Sequence, residues 1–215
     1  MANIAASVRP LSSFTTQFEA RPSEPELWTL SRGGITEILG EASTGRTALA
    51  QWMLTNATRG GEVSAVVDCD DVFDPASARK AGADLGKLLW VQCGHRLETA
   101  LKATDLILHS GGFGLIVLDL GELTSGALQK IPTSYAYRFQ RAVEHTTSAL
   151  LIVARQSVAR SCSLRQIGFA QQRLWWRGHP PFQTMERLEL QAASRKPVSG
   201  IHLTVDVLAM HESGK

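Results

Sequence analysis

The 215-residue sequence predicts an α/β fold: a mostly parallel central sheet flanked by helices, with antiparallel strands added at the C-terminal end. Three observations carry this. Five short apolar runs, Ile35–Leu39, Val63–Val67, Leu88–Gln92, Leu115–Leu118 and Leu150–Ala154, read as strands buried on both faces. Helical patterns near 46–57, 75–82, 96–110 and 134–146 fall between them. After about residue 172 the chain turns to short strand-rich segments, Arg173–Trp176, Glu186–Gln191 and Ile201–Leu208. Turn chemistry separates them at Gly178-His179-Pro180-Pro181 and Pro197-Val198-Ser199-Gly200.

Composition sets the bounds. Hydrophobic residues make up 44% and charged residues 20%, an ordinary balance for a globular protein. The net charge of +2 does not by itself call for a nucleic acid. Cys69, Cys93 and Cys162 are widely spaced and form no C-x-x-C pair, which fits reduced, buried thiols. Met1 to Leu11 has neither a basic nor an apolar signal region, and the longest apolar runs are too short to span a bilayer. The expectation is a cytoplasmic bacterial protein, able to associate with the nucleoid and with no membrane partner.

In chain order, residues 1–30 read as a weakly ordered lead-in that contains the turn or linker signal Arg21-Pro22-Ser23-Glu24-Pro25, and 31–215 as a single core domain. The strand at Ile35–Leu39 runs into Gly40-Glu41-Ala42-Ser43-Thr44-Gly45-Arg46-Thr47. This has the spacing of a phosphate-binding loop, G-x-x-x-x-G-K-[ST], with Arg46 in the lysine position. A helix follows from Ala48. Backbone N–H groups of such a loop, with the helix N-terminus, form an anion cradle, and Thr47 would offer its hydroxyl to Mg²⁺. Arginine keeps the charge of lysine but is longer and planar, which argues against hydrolysis.

The second strand ends in Asp68-Cys69-Asp70-Asp71, then Asp74-Pro75. One of these carboxylates could act as a general base, or the stretch is a solvated acidic turn before a helix capped by Asp74 with Pro75 in its first turn. The strand Leu115–Leu118 ends in Asp119, the position from which a carboxylate helps hold Mg²⁺ in phosphate-loop enzymes.

From Ile35 to about Leu120 the chain resembles the ATPase core of the bacterial RecA recombinases, and more thinly through Leu150–Gln156 and the C-terminal strands. The Asp74-Pro75-Ala76-Ser77-Ala78-Arg79-Lys80 segment makes the likeness specific. It implies a RecA-like P-loop NTPase core with ATP and Mg²⁺ as cofactors. Gly40, Gly45 and Thr47 match its phosphate loop, Asp119 its Mg²⁺-side aspartate, Gln156 its γ-phosphate sensor, and Asp74 an aspartate beside adenine. Arg46 replaces its lysine, Asp70 its catalytic glutamate, and Ser77 a tyrosine that stacks on adenine. The family's filament-linking N-terminal helix and strand are not recognisable in residues 1–30. The DNA-gripping loop after Gln156 is short and lacks glycine, and no counterpart of the long C-terminal domain is present.

A short RecA-like chain with these changes is similar to the ImuA accessory proteins. That likeness implies a role in DNA repair and damage-induced translesion mutagenesis within the SOS response. The implied partners are an ImuB-like Y-family polymerase homologue, an error-prone replicative-type polymerase and RecA. An active DNA-dependent ATPase related to recombinases is the alternative, and a SulA-like inhibitor of cell division a further one.

Between Arg155 and Lys196 stand eight arginines and lysines against two glutamates. Arg155, Arg160, Arg165 and Arg177, with Trp175 and Trp176 interleaved, could track single-stranded DNA. Equally, Trp175 packs in the core and the arginines reflect composition. Trp176 and Pro180-Pro181-Phe182 could instead serve a protein interface.

Overall fold

The computed structural model describes residues 30–177, 184–196 and 198–206, with side chains described from Leu30 to Phe169. The lead-in expected over residues 1–30 lies outside the described residues except for Leu30.

The elements run β1 (Gly34–Leu39), α1 (Arg46–Arg59), β2 (Ser64–Asp68), α2 (Pro75–Lys80), β3 (Leu88–Gln92), α3 (Leu97–Ser110), β4 (Leu115–Asp119), α4 (Ser125–Gln129), α5 (Thr133–Val143), β5 (Ala149–Ala154), β6 (Ser163–Arg177), β7 (Thr184–Lys196) and β8 (Val198–Asp206). They form one sheet in the order β3-β2-β4-β5-β1-β6-β7-β8. The first six strands of that order are parallel, and β7 and β8 add antiparallel. This is the predicted α/β architecture. Among the described residues no helix is long and apolar enough to cross a membrane.

Side chains alternate between two cores because successive residues of a strand face opposite ways. Ile35, Leu39, Val67, Ile116, Leu118, Leu150 and Ile152 pack with Leu101 and Leu108 of α3 and Phe139 of α5. Ile38, Val66, Val117, Leu151 and Val153 pack with Leu49, Met53 and Leu54 of α1. Both faces of β1, β2, β4 and β5 are thus covered, which explains why they read as largely apolar runs.

Two local expectations change. The stretch Ser157–Gln166, read as a loop, becomes strand from Ser163 onward. Arg165 pairs with Thr36 and Gln166 with Glu37 of β1. Its polar residues hid a strand that tertiary pairing, rather than propensity, creates. The strand-rich segment read as Arg173–Trp176 is accordingly the distal part of β6, whose near end pairs parallel with β1 and whose remainder pairs antiparallel with β7. A five-residue helix, α4, was too short to leave a periodic trace.

Candidate functional site: a phosphate loop closed by its own arginine

The loop between β1 and α1 lies in the middle of the sheet, where β1 is flanked by β5 and β6. Gly40 N–H donates to the Ala154 carbonyl at 3.2 Å, fixing the exit of β1 against the end of β5. Thr44 Oγ1 donates to the Glu41 carbonyl at 2.7 Å and closes the turn. Ser43 (φ 60) and Gly45 (φ 91) take left-handed conformations, the backbone pattern from which anion-receiving nests are built. Gly45 caps α1 without a side chain, and a β-carbon would be strained at that φ. Ala42, Ser43 and Thr47 are exposed.

Arg46 does not face outward. It is 2% exposed, and its guanidinium turns beneath the loop. Nη1 donates to the Gly40 carbonyl; Nη2 donates to the Gly121 carbonyl at 2.5 Å and to Glu122 Oε1 at 3.1 Å. The side chain therefore ties the start of the loop to the chain leaving β4. Gly121 leaves room for this approach, since a β-carbon there would lie 3.0 Å from Arg46 Nη2 and 3.0 Å from Asp119 Oδ1 and crowd both.

The carboxylates of the strand ends gather beside this tether. Asp68 and Asp119 lie opposite each other in the β2–β4 register. Burial pushes the Asp119 carboxyl up to about 6, against the opposing pull of the Gly121 N–H, which donates to its Oδ1 at 2.9 Å; Asp68 raises it further, Arg46 lowers it, and Asp70 adds a smaller push upward. Burial also raises Asp70, opposed by His95, whose Nδ1 stands 3.5 Å from Asp70 Oδ1. Asp70 Oδ2 is buried and has no hydrogen-bond partner.

The remaining acidic residues organise backbone. Asp68 accepts Val72 N–H at 3.1 Å, Phe73 N–H at 2.8 Å and Trp90 Nε1–H at 3.2 Å. Asp71, at φ 56, accepts the N–H groups of Cys93 and Gly94 at 3.1 and 3.2 Å. Asp74 caps α2 through the N–H groups of Ala76 and Ser77 at 3.0 and 3.1 Å, with Pro75 in the first turn as expected. Ser77, at the position where the resemblance implied adenine stacking, donates its hydroxyl to Asp74 at 2.5 Å.

The structure brings Gly40 to Thr47, Asp70 and Asp119 to one end of the sheet. Arg155 is there too, donating from Nη1 to Glu41 Oε2 at 2.9 Å. Gln156 Nε2 donates to the Ser125 carbonyl at 3.0 Å, joining the end of β5 to the start of α4. Arg160 lies in the turn before β6, and Arg165 lies on β6 itself. Arg177 ends β6, and its side chain lies outside the described residues, as do those of Trp175 and Trp176.

Sequence reasoning missed Glu37, Gly121 and Glu122. Glu37 had a signal: one acidic residue inside an otherwise uncharged buried strand. The other two had none, because their meaning depends on Arg46, 75 and 76 residues away.

The loop backbone suits an anion. The cation in the lysine position is bonded to protein carbonyls, and Asp119 is raised toward its neutral form. Among the described residues no group of three or more His, Cys, Asp or Glu side chains is placed to hold a metal ion.

Comparison with known proteins agrees with this fold. Residues 26–127 match the model of the RecA N-terminal domain. The protein RecA of Chlorobaculum tepidum is 40% identical over 90 residues, covering 42% of this chain and 26% of that protein. RecA of Thermus aquaticus is 40% identical over 90 residues, with 42% and 26% covered. RecA of Leifsonia xyli subsp. xyli is 41% identical over 90 residues, with 42% and 25% covered. The chain thus spans about a quarter of the length of the curated relatives it matches. Through the phosphate loop and the strands around it, this chain carries a RecA-like core.

Proposed function

We propose that the protein is a RecA-like accessory factor of DNA repair, serving damage-induced translesion synthesis in the SOS response, and that it acts by contact rather than ATP turnover. The observation that carries this reading is the Arg46 tether. A loop whose cation is bonded to Gly40 and Gly121 keeps its shape without a nucleotide, so the fold is retained as a scaffold. In this reading the partners are an ImuB-like Y-family polymerase homologue, an error-prone replicative-type polymerase and RecA, and the arginines after β5 contact single-stranded DNA. The protein works in the cytoplasm, at the nucleoid.

The test is ATP turnover with and without single-stranded DNA, for the wild type and Arg46→Ala. Background turnover in all four cases supports the accessory reading. DNA-stimulated turnover that vanishes in the variant would sink it. Capture of the polymerases from DNA-damaged cells tests the partners.

A DNA-dependent ATPase is the second reading. It is favoured by Asp70, whose raised carboxyl and unpartnered Oδ2 are features of a general base. The same turnover assay decides between the two.

A further inference from the structure

Glu37 is a fully buried carboxylate in the middle of β1, on the face that packs toward α5. Burying a charge is costly unless its lone pairs are satisfied. Here they are filled by donors from one place. Oε1 accepts Val158 N–H at 2.7 Å and Ala159 N–H at 2.8 Å; Oε2 accepts Ser157 Oγ–H at 2.8 Å and Gln166 Nε2–H at 2.8 Å. All four belong to the connection between β5 and β6 or to the first residues of β6.

The network continues to Arg160. Ser157 Oγ accepts Arg160 N–H at 3.0 Å, and the Arg160 carbonyl accepts Ser163 Oγ–H at 3.0 Å. Gln166 Nε2 also reaches Ser163 Oγ at 2.9 Å. Both backbone groups of Arg160 are thereby held, at a φ of 52° that a non-glycine residue rarely adopts. Its side chain is exposed and reaches toward Thr133 of α5, with Nη1 3.4 Å from Oγ1. A left-handed residue pinned at both ends presents its side chain in a direction that a relaxed loop would not hold.

We infer that Glu37 is a positioning residue for DNA contact: its buried carboxylate holds the β5–β6 connection preformed, so that Arg160 meets a phosphate backbone without an ordering step. This rests on the reading that the arginines after β5 contact single-stranded DNA. Preorganisation matters because ordering a loop on binding subtracts from affinity. Glu37 touches no DNA, so its effect must pass through Arg160.

The experiment is binding of the full chain to a fluorescent oligothymidylate across a salt series. The variants are Glu37→Gln, Ser157→Ala, Arg160→Ala and the Glu37→Gln/Arg160→Ala double variant, each with its thermal midpoint measured. Arg160→Ala is expected to weaken binding and lower the salt slope by about 0.7, the value for one lost phosphate contact on a single strand. Glu37→Gln places an amide NH₂ among donors. It is expected to weaken binding severalfold with a similar loss of slope, and the double variant to be no weaker than Arg160→Ala. Ser157→Ala breaks the link to the Arg160 N–H while leaving Glu37 its backbone donors, and is expected to act in the same direction should Glu37→Gln not fold. Wild-type binding that Arg160→Ala weakens, but that Glu37→Gln or a folded Ser157→Ala leaves unchanged, overturns this inference alone. No binding by the wild type overturns the DNA reading and this inference with it.

Discussion

Arg46 Nη2 donates to the Gly121 carbonyl oxygen at 2.5 Å, although the two residues are 75 positions apart. The bond joins the start of α1 to the chain leaving β4, beneath the phosphate loop. An arginine suits this place because its planar fork reaches two carbonyls at once, where an ammonium is a single point. A residue that would serve catalysis as lysine has become part of the scaffold.

Removing that tether should be costly. Arg46→Ala leaves the Gly40 and Gly121 carbonyls without their donor, and hydrogen bonds to charged groups are worth about 1.5–3 kcal/mol each. A loss of about 2–4 kcal/mol in urea-unfolding stability is expected, with Arg46→Lys intermediate. An unchanged midpoint for Arg46→Ala would refute the structural role. If the loop lacks only its phosphate contact, Arg46→Lys should also gain binding of a fluorescent ATP analogue.

Asp119 gives a pH signature of the less usual sign. Its folded value of about 6 lies above the ordinary 3.8, so the folded state holds the proton more tightly than the unfolded state. Well below the lower value both states are protonated and nothing is lost. As pH rises from about 4 to about 6 stability falls, and above that the penalty is complete. Asp119→Asn should therefore raise the thermal midpoint by about 2–6 °C at pH 7.5 and by much less at pH 4. An equal gain at both pH values would show that burial of the charge is not the cause. Asp70→Asn should act in the same direction, since burial raises that carboxyl too.

Asp68 predicts a structural defect. Its two oxygens take three donors, from Val72, Phe73 and Trp90. Asp68→Asn turns one acceptor into a donor and should cost about 1–3 kcal/mol. Faster hydrogen exchange at Val72 and Phe73 would accompany the loss. Retained protection there would contradict the proposed anchoring.

The cysteines should be silent in the native state. All three are buried, and burial with nearby carboxylates pushes the Cys69 thiol up to about 12. Burial raises Cys93 as well. A thiol that ionises so late is a poor nucleophile at pH 8. Disulfide-exchange reagents are expected to titrate these thiols only after unfolding, and rapid native labelling of Cys69 would disprove this.

Strands β2, β4 and β5 were readable because a strand covered on both sides shows a nearly unbroken apolar run; β1 showed as an apolar run interrupted by Thr36 and Glu37, and β3 as an apolar run although it is a partly buried edge strand. The α2 cap was readable because Asp74 and Pro75 are local signals. The use made of Arg46 was not readable, since its acceptors are backbone carbonyls whose positions only the closed sheet defines. Glu37 stood out as a charge in an apolar strand, but two of its donors are main-chain groups that carry no residue identity. The start of β6 was hidden because Ser163, Arg165 and Gln166 look like a loop until β1 provides the neighbouring ladder.

The position of β1 bears on how the chain is made. This strand precedes the other described strands in sequence, yet it sits inside the sheet, with Gly34 opposite Ala149 and Ile35 opposite Ser163. Neither neighbour exists on the ribosome until far more of the chain has been translated. Both edges of an apolar strand stay open for that interval, and pairings this distant in sequence form slowly. The phosphate loop is thus synthesised before both strands that flank β1 and is framed only after them, and a chaperone that shields residues 34–39 would act in the period of greatest exposure.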